Sequence, residues 1–458
     1  GIAGIALTIG MAVDTNVLIY ERMREELENG RTLATALRAG FDRAFAVIFD
    51  SHLTILLSAF SLLQFGQGSI QGFALTMVFG LVANLFTGLT VTFALCLIYF
   101  NLRKTLSLGK LHIFRNPTLD FINLRKITFP FSGFMVAAAL LFLIVRGGPE
   151  MAVDFKGGVV TEVRLEMDGD QTEAIKKVLS QQGESQARIQ KVINENTYII
   201  RSPLLKVPTT DVDANRFTQE TIEGMLKAAY PDEKQMKILS STSVSPEVGQ
   251  QFTEIAIMVT LVASLSILAY LWFRFELVFG VAAVIALLHD LTITLGLMTL
   301  LGFQTDLDII SALMILLGFS VNDTIVIFDR VRENSHTMFG RSFKDICNAA
   351  MNRSLGRTII TSGTAVLTMV VMFFIGGRSL QPFALTLIIG GIVGTYSSDF
   401  IAAPLVFWWN ERDKGKLMEH LGRKGTGPVT TVEGQPAATA ALAAAATSDS
   451  LARRRGRR

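Results

Sequence analysis

The strongest constraint in this sequence is its series of long, nearly uncharged apolar blocks. A helix needs about 20 predominantly apolar residues to cross roughly 30 Å of hydrocarbon. Nine stretches reach that length once tilt is allowed, at about 1–20, 46–65, 74–100, 127–145, 252–272, 277–300, 307–328, 359–376 and 383–409. A chain so built folds as a mainly α membrane protein. Composition agrees, with 50% hydrophobic and 18% charged residues and a mean hydropathy of +0.43, against about 25% charged residues in soluble domains. The formal charge of +3 is too small, and its basic residues too scattered, for a nucleic-acid groove. Cys96 and Cys347 read as packing residues, because two separated thiols form neither a disulfide scaffold nor a multi-cysteine metal site.

The connectors orient the spans. Residues 21–45 carry Arg22, Arg24, Arg31, Arg38 and Arg43, and residues 101–126 carry Arg103, Lys104, Lys110, Arg115, Arg125 and Lys126. Basic residues next to spans mark the cytoplasmic side. Residues 329–357 and the stretch after Trp409 are likewise basic, whereas 65–72, 302–306 and 376–382 hold one basic residue in total. The expected topology therefore starts outside and ends with a cytoplasmic C-terminus, and the missing initiator Met suggests a fragment that opens inside a membrane helix.

Residues 146–250 differ from their surroundings. TEVRLEM and NTYIIRS have strand character, and DQTEAIKKVLSQ and NRFTQETIEGMLKAAY have helical character. They predict a small α+β extracytoplasmic domain, with Gly157-Gly158 forming a bend at its root. The tail after Gly422, rich in Gly, Pro, Thr and Ala and ending LARRRGRR, lacks the large side chains of a packed core and reads as disordered.

An internal repeat organises the rest. Gly10 to Glu25, GMAVDTNVLIYERMRE, recurs as Gly318 to Glu333, GFSVNDTIVIFDRVRE. GFDRAF at 40–45 parallels AMNRSL at 350–355, and GFALTMVFG at 72–80 parallels PFALTLIIG at 382–390. Two pseudo-repeated transmembrane helical bundles, the first truncated, are thus expected. Transporters use such repeats to alternate access to a site between them. The amphipathic stretches 31–43 and 341–355 are expected to lie along the cytoplasmic face.

Charges inside the spans are the candidate functional residues. Asp14 and Asp323 lie deep in the first and seventh spans, where an unpaired carboxylate costs about 2.5–3.5 kcal/mol on insertion scales. Asn16 and Asn322 supply neutral amides beside them. Arg357, in SLGRTIITSGT, either snorkels or reaches inward to hold Asp14 or Asp323 ionised, and its withdrawal would raise their proton affinity. His289 and Asp290 form a further polar cluster that suits a structural bond between helices as well as a proton relay. Asp50 and His52 lie near one end of the second span, and Asp399 needs a partner that the sequence does not name. HExxH, GxSxG, P-loop and paired-Cys motifs are lacking, so no catalytic residue, cofactor or metal is assigned and the chain reads as no enzyme. An ion gradient would supply the energy, its voltage part about 2.3 kcal/mol per charge per 100 mV.

At GMAVDTNVLIYERMREE, VDFKGGVVTEVR and LLGFSVNDTIVIFDRVREN the sequence resembles the SecD/SecF protein translocase subunits of the resistance-nodulation-division superfamily. Residues 1–100 resemble the last three spans of a SecD half and 110–410 a complete SecF half, as in a fused SecDF. The resemblance implies segments at 1–100 (SecD-like helices), 101–126 (cytoplasmic linker), 127–145 (first SecF-like helix), 146–250 (extracytoplasmic domain), 251–410 (five-helix bundle) and 411–458 (cytoplasmic tail). It implies an auxiliary role in the bacterial inner membrane, using the proton motive force in late export of unfolded preprotein. Proton-coupling roles would fall to Asp14, Asp323 and Arg357. The implied partners are a SecYEG-type channel, YajC-like and YidC-like subunits and the missing N-terminal SecD portion, with no nucleic acid. A proton-coupled small-molecule or metal exporter of the same superfamily, and a non-transporting translocase scaffold, are the alternatives. Asp399 departs from the family's pattern, in which GTYSS runs into an apolar residue.

Overall fold

The computed structural model describes residues 2–65, 69–103 and 117–421, apart from 168, 182–183, 185–186, 192–195, 206–212, 233–234, 339, 378–379, 414 and 419–420. Residues 104–116, half of the 101–126 linker, and the tail from 422 onward lie outside the described residues.

Among the described residues, eight helices are long and apolar enough to cross a membrane. The ninth expected span is α1 (Ile2–Glu28), which is helical throughout but is not among these eight. Asp14, Asn16 and the run from Glu21 to Glu28 dilute its apolar character. α2 (Leu33–Phe65) follows, and α3 (Ser69–Phe86) continues through a π-helical turn, Thr87–Val91, into α4 (Thr92–Arg103). α5 (Phe121–Val145) is the next span, its N-terminus capped by the Asp120 side chain accepting from Asn123 N.

The β-sheet domain comes next. The short α6 (Val153–Lys156) leads into β1 (Gly158–Leu165), α7 (Thr172–Gln181), β2 (Arg188–Lys191), β3 (Thr197–Ser202), α8 (Ala214–Ala229) and β4 (Met236–Val244). The antiparallel sheet runs β2-β3-β1-β4, with a bulge at Glu162/Val163 against β4. Its core is Val163, Leu165, Tyr198 and Ile200 from the sheet against Ile175, Leu179, Ile222 and Leu226 from α7 and α8. The two edge strands escaped the sequence reading. β2 is only four residues long, and β4 reads MKILSSTSV, a half-exposed strand whose serines hide any alternation. The Gly157-Gly158 bend has backbone φ of +78° and +146°. A Cβ on Gly158 would stand 2.5 Å from the Ser202 carbonyl oxygen, so the bend requires glycine.

The second bundle comprises α9 (Pro246–Arg274), α10 (Leu277–Leu300), α11 (Leu307–Thr337), α12 (Phe343–Ile375), α13 (Gln381–Ser397), a second π turn (Ser398–Ala402) and α14 (Ala403–Arg412). The amphipathic stretches expected along the membrane face are instead the opening turns of α2 and α12, each one continuous helix of 33 residues. Neither helix contains a proline to break it.

The repeat extends to tertiary packing. α1 packs on α12, and α11 packs on α2, so each half lays its first helix against the other half's second. Gly10 makes the first crossing close, its missing Cβ position lying 3.3 Å from Ala365 Cα. Its counterpart Gly318 does the same at 2.9 Å from Ile55 Cα. Small residues permit this approach where lipid supplies no hydrophobic drive.

Candidate functional site

The two crossings bring Asp14, Arg357, Asn322 and Asp323 together. Arg357 Nη2 of α12 donates to Asp14 Oδ1 at 2.9 Å, and Asn322 Nδ2 of α11 donates to Asp14 Oδ2 at 2.8 Å. Arg357 is buried, with its side chain 3% exposed, so it reaches inward rather than snorkelling to a surface. Asp323 is also buried and accepts from Ser362 Oγ of α12 at 2.9 Å. A small pocket between the halves is lined by Asp14, Asn322 and Asp323 together with Ser51, His52 and Thr361. His52 is held by both ring nitrogens, Nδ1 at 2.9 Å from the Ile48 carbonyl and Nε2 at 3.3 Å from Asn84 Nδ2.

The remaining predicted residues sit elsewhere. Asn16 donates to the Ala12 carbonyl at 3.0 Å and accepts from Thr92 Oγ1 of α4 at 3.2 Å, so it fastens the first half internally. His289 and Asp290 form a separate buried network. His289 Nδ1 lies 2.8 Å from Asp290 Oδ1 and its Nε2 bonds Ser132 of α5, while Asp290 Oδ2 accepts from Ser320 at 2.5 Å and Ser397 at 2.8 Å. Asp50 accepts from Tyr270 at 2.7 Å and Arg274 Nε at 2.6 Å, tying α2 to α9. The hydroxyls of Ser362, Ser320 and Ser397 were missed by sequence reasoning. Ser362 carries one signal: it stands four residues, about one helical turn, after Thr358, on the face of α12 that begins at Arg357.

Both ends of the central helices are tied. At the end away from the sheet domain, Arg22 of α1 pairs with Asp329 at 3.7 Å and Glu333 at 3.2 Å of α11. Arg330 of α11 pairs in return with Glu21 at 3.5 Å and Glu25 at 2.5 Å of α1. In the repeat Arg22 corresponds to Arg330, Glu21 to Asp329 and Glu25 to Glu333, so this ionic clasp is reciprocal about the pseudo-two-fold axis.

At the other end the sheet domain grips α11. Ala152 N donates to the Thr305 carbonyl at 2.9 Å and Thr305 N to the Glu150 carbonyl at 2.7 Å. Asp306 caps α11 by accepting from Ile309 N at 2.9 Å, and Asp154 of α6 accepts from the Leu307 backbone. Burial is the main influence on both carboxyls. It raises the proton affinity of Asp154 and pushes the pKa of Asp306 up to about 6, with Asp154 adding to the latter and the Ile309 bond and Arg201 opposing it.

A multi-pass helical protein with two exchanged bundles, an inter-bundle carboxylate–arginine pair and a sheet domain fastened to one central helix has the architecture of a repeat-built membrane transport protein. The description "Protein export membrane protein SecD/SecF, C-terminal" matches residues 1–102 and 223–412, and the chain belongs to that family. The protein translocase subunit SecDF of Brucella abortus is 33% identical over 407 residues, 88% of this chain and 52% of that protein. The Thermus thermophilus SecDF is 33% identical over 415 residues, 88% and 54% of the two chains. A SecF subunit of Desulfurispirillum indicum is 38% identical over 297 residues, 64% of this chain and 92% of that one. The chain therefore spans about half the length of the SecDF proteins it matches. The crystal structure of Thermus SecDF, described as a translocon-associated membrane protein, superposes with a TM-score of 0.81 at 31% identity, covering 90% of this chain and 55% of that one. A super-membrane-facing form of SecDF gives 0.71 at 31% identity, covering 92% and 56%. The sheet domain is the extracytoplasmic domain of this fold.

Proposed function

We propose that this chain is the membrane-coupling part of an auxiliary Sec translocase subunit, using the proton motive force to assist late export of unfolded polypeptide. The observation that carries the reading is α11 itself. One helix holds Asp323 at its middle, presents Asn322 to the Asp14–Arg357 pair, and is bonded to the extracytoplasmic domain at its outer end. Protonation of Asp14 would release Arg357, because a neutral acid no longer repays burial of the guanidinium. The freed cation would then favour ionisation of Asp323, the other carboxylate at the same bundle interface. A proton passing between the two acids thereby changes which helix pair is held, and α11 transmits the change to the domain at its root.

In this reading the chain is in a bacterial inner membrane, with the basic connectors, ionic clasp and C-terminus cytoplasmic. Residues 1–100 act as the SecD-like helices, 101–126 as linker, 127–145 and 251–410 as the SecF-like bundle, 146–250 as the polypeptide-facing domain and 411–458 as tail. A SecYEG-type channel with YajC-like and YidC-like subunits would deliver the preprotein. The test uses inverted vesicles that carry this protein, following proton-gradient-dependent completion of preprotein translocation. Asp14→Asn, Asp323→Asn and Arg357→Ala should each abolish the gradient-dependent part, whereas completion unchanged in all three would overturn the reading.

A further inference from the structure

Arg357 is only partly used in the site described above. Its Nη2 donates to Asp14, but Nε and Nη1 are buried without a hydrogen-bond partner among the described residues. A guanidinium with idle donors can serve a second acid. The reciprocal clasp holds the converse, a carboxylate that is loosely engaged. Arg330 bonds Glu25 at 2.5 Å but stands 3.5 Å from Glu21, whose side chain is 24% exposed.

Helix arithmetic brings these two groups together. α1 and α12 run antiparallel, since Gly10 meets Ala365 and Asp14 meets Arg357. Arg357 precedes Ala365 by eight residues, about 12 Å of helix, and Leu18 follows Gly10 by the same number. The Arg357 backbone is therefore level with Leu18. Asp14 lies about 6 Å from that level toward the sheet domain, and Glu21 about 4.5 Å from it toward the clasp. Around the α1 axis, at about 100° per residue, Glu21 falls about 20° from Gly10 and Asp14 about 40° in the same sense. Glu21 thus lies on the stripe of α1 that faces α12, between the angles of two residues that touch it. It opens the connector beyond the first expected span, and there burial raises its proton affinity while the charges of Arg330 and Arg357 oppose the rise. Arg357 also acts on Asp323. Of the other helices packed on α12, α13 carries no charged residue, and Arg125 of α5 neutralises Glu411 of α14 at 2.8 Å.

We propose that Glu21 is the second counter-ion of Arg357, receiving the guanidinium when Asp14 is protonated. A buried cation stripped of its partner is strongly unfavourable, and Asp323 offers no charge while it holds its own proton. Glu21 fills that interval. The Arg357 side chain swings from the turn on the sheet-domain side of Leu18 to the turn on the clasp side, its backbone staying in place, and returns when Asp323 ionises. The arginine keeps its proton throughout, so the O–H bonds that form and break are those of Asp14 and Asp323. When Glu21 turns to Arg357 it leaves Arg330, which retains Glu25 and Glu333. One tie between α1 and α11 is given up as the proton arrives. Glu21 acts through Arg357 and is a positioning residue, linking proton binding in the middle of the bundle to the clasp at its end.

That role presupposes the proton-coupled reading above, and the test separates the two. Asp14→Asn imitates the protonated acid. In the detergent-solubilised protein, Glu21→Gln should shift the unfolding equilibrium about tenfold more in the Asp14→Asn background than in the unaltered protein, because Arg357 then has neither acid to turn to. The excess should vanish once Arg357→Ala is added. Additive losses, or an excess that survives without Arg357, would overturn the proposal. Gradient-driven completion of preprotein translocation in inverted vesicles gives a second readout, which stands even where the double variant does not fold. Glu21→Gln should slow it by about tenfold, and by more than Glu25→Gln does, although Glu25 has the closer contact with Arg330. Glu21→Asp, which keeps the charge, should restore most of the rate. The opposite order of the two glutamate variants would mean that Glu21 serves the clasp alone and would sink the proposal. Asp14→Asn that leaves gradient dependence intact would instead overturn the broader reading.

Discussion

The ends and the middle of the central helix pair obey different rules. At the end away from the sheet domain the repeat is symmetric: Arg22 takes Asp329 and Glu333, and Arg330 takes Glu21 and Glu25. At the middle it is not. Asp14 corresponds to Asn322, while Asp323 corresponds to Thr15, so the second half carries its carboxylate one residue later. One residue is about 100° around a helix. That rotation gives Asp14 the arginine and the amide, and leaves Asp323 with a hydroxyl. A symmetric clasp can hold two halves in register, but a device that moves a proton in one direction needs sites that differ. The duplicated chain keeps its symmetry in the clasp at the helix ends and loses it at the carboxylates of the middle.

The comparison can be broken most severely at the middle. Arg357→Ala leaves Asp14 without its counter-ion and should destabilise the bundle by about 3–5 kcal/mol, whereas Arg357→Ala with Asp14→Asn should recover most of that loss. Thermal unfolding in detergent would show it, and equal stability of the single and double variants would remove the pair from the account.

The outer end of α11 should give the next largest effect, through pH. The Asp306 carboxyl titrates near 6 in the fold because it is buried, well above the usual range for an unfolded aspartate of about 4. The folded state thus binds the extra proton, and stability should fall as pH rises from about 4 to about 6 and then level off. The amplitude is about 2–3 kcal/mol at about 1.36 kcal/mol per unit. Asp306→Asn keeps a capping oxygen for Ile309 and should flatten that slope. A slope unchanged in pH-dependent unfolding would assign it to other groups.

The clasp sharpens the symmetric side. Arg22→Ala and Arg330→Ala should each cost about 1–2 kcal/mol, below the fully buried range because their partner carboxylates are up to 36% exposed. The two losses should agree within about 0.5 kcal/mol, and a clear inequality would mean that the reciprocity is geometric only. The smallest effect belongs to Ser362→Ala. Losing one interhelical hydrogen bond in a membrane costs about 0.6 kcal/mol, while the pH profile of translocation shifts because Asp323 loses its donor. An unaltered profile would show that Ser362 does not tune Asp323.

Much of the candidate site could be read from the chain because burial in lipid makes every charge conspicuous. Asp14, Asp323 and Arg357 stand out against long apolar runs, and the GMAVDTN and GFSVNDT alignment reveals the duplication without any structure. The partners were less legible. Asn322 is next to Asp323 in sequence yet serves Asp14, and Asn16 is two residues from Asp14 yet serves Thr92. Neighbours on a helix point about 100° apart, so adjacency along the chain argues against a shared partner rather than for one.

The apolar blocks, the charge placement and the repeat were determined by the sequence alone, because hydrophobic length and periodicity are properties of the chain. The exchange of α1 onto α12 and α11 onto α2 was decided by tertiary structure. It depends on the close approach at Gly10 and Gly318, a matter of which surfaces fit when two helices cross. The same packing turned two amphipathic connectors into the first turns of long helices, set the reciprocal clasp, and left Asp399 buried with one oxygen unpaired among the described residues.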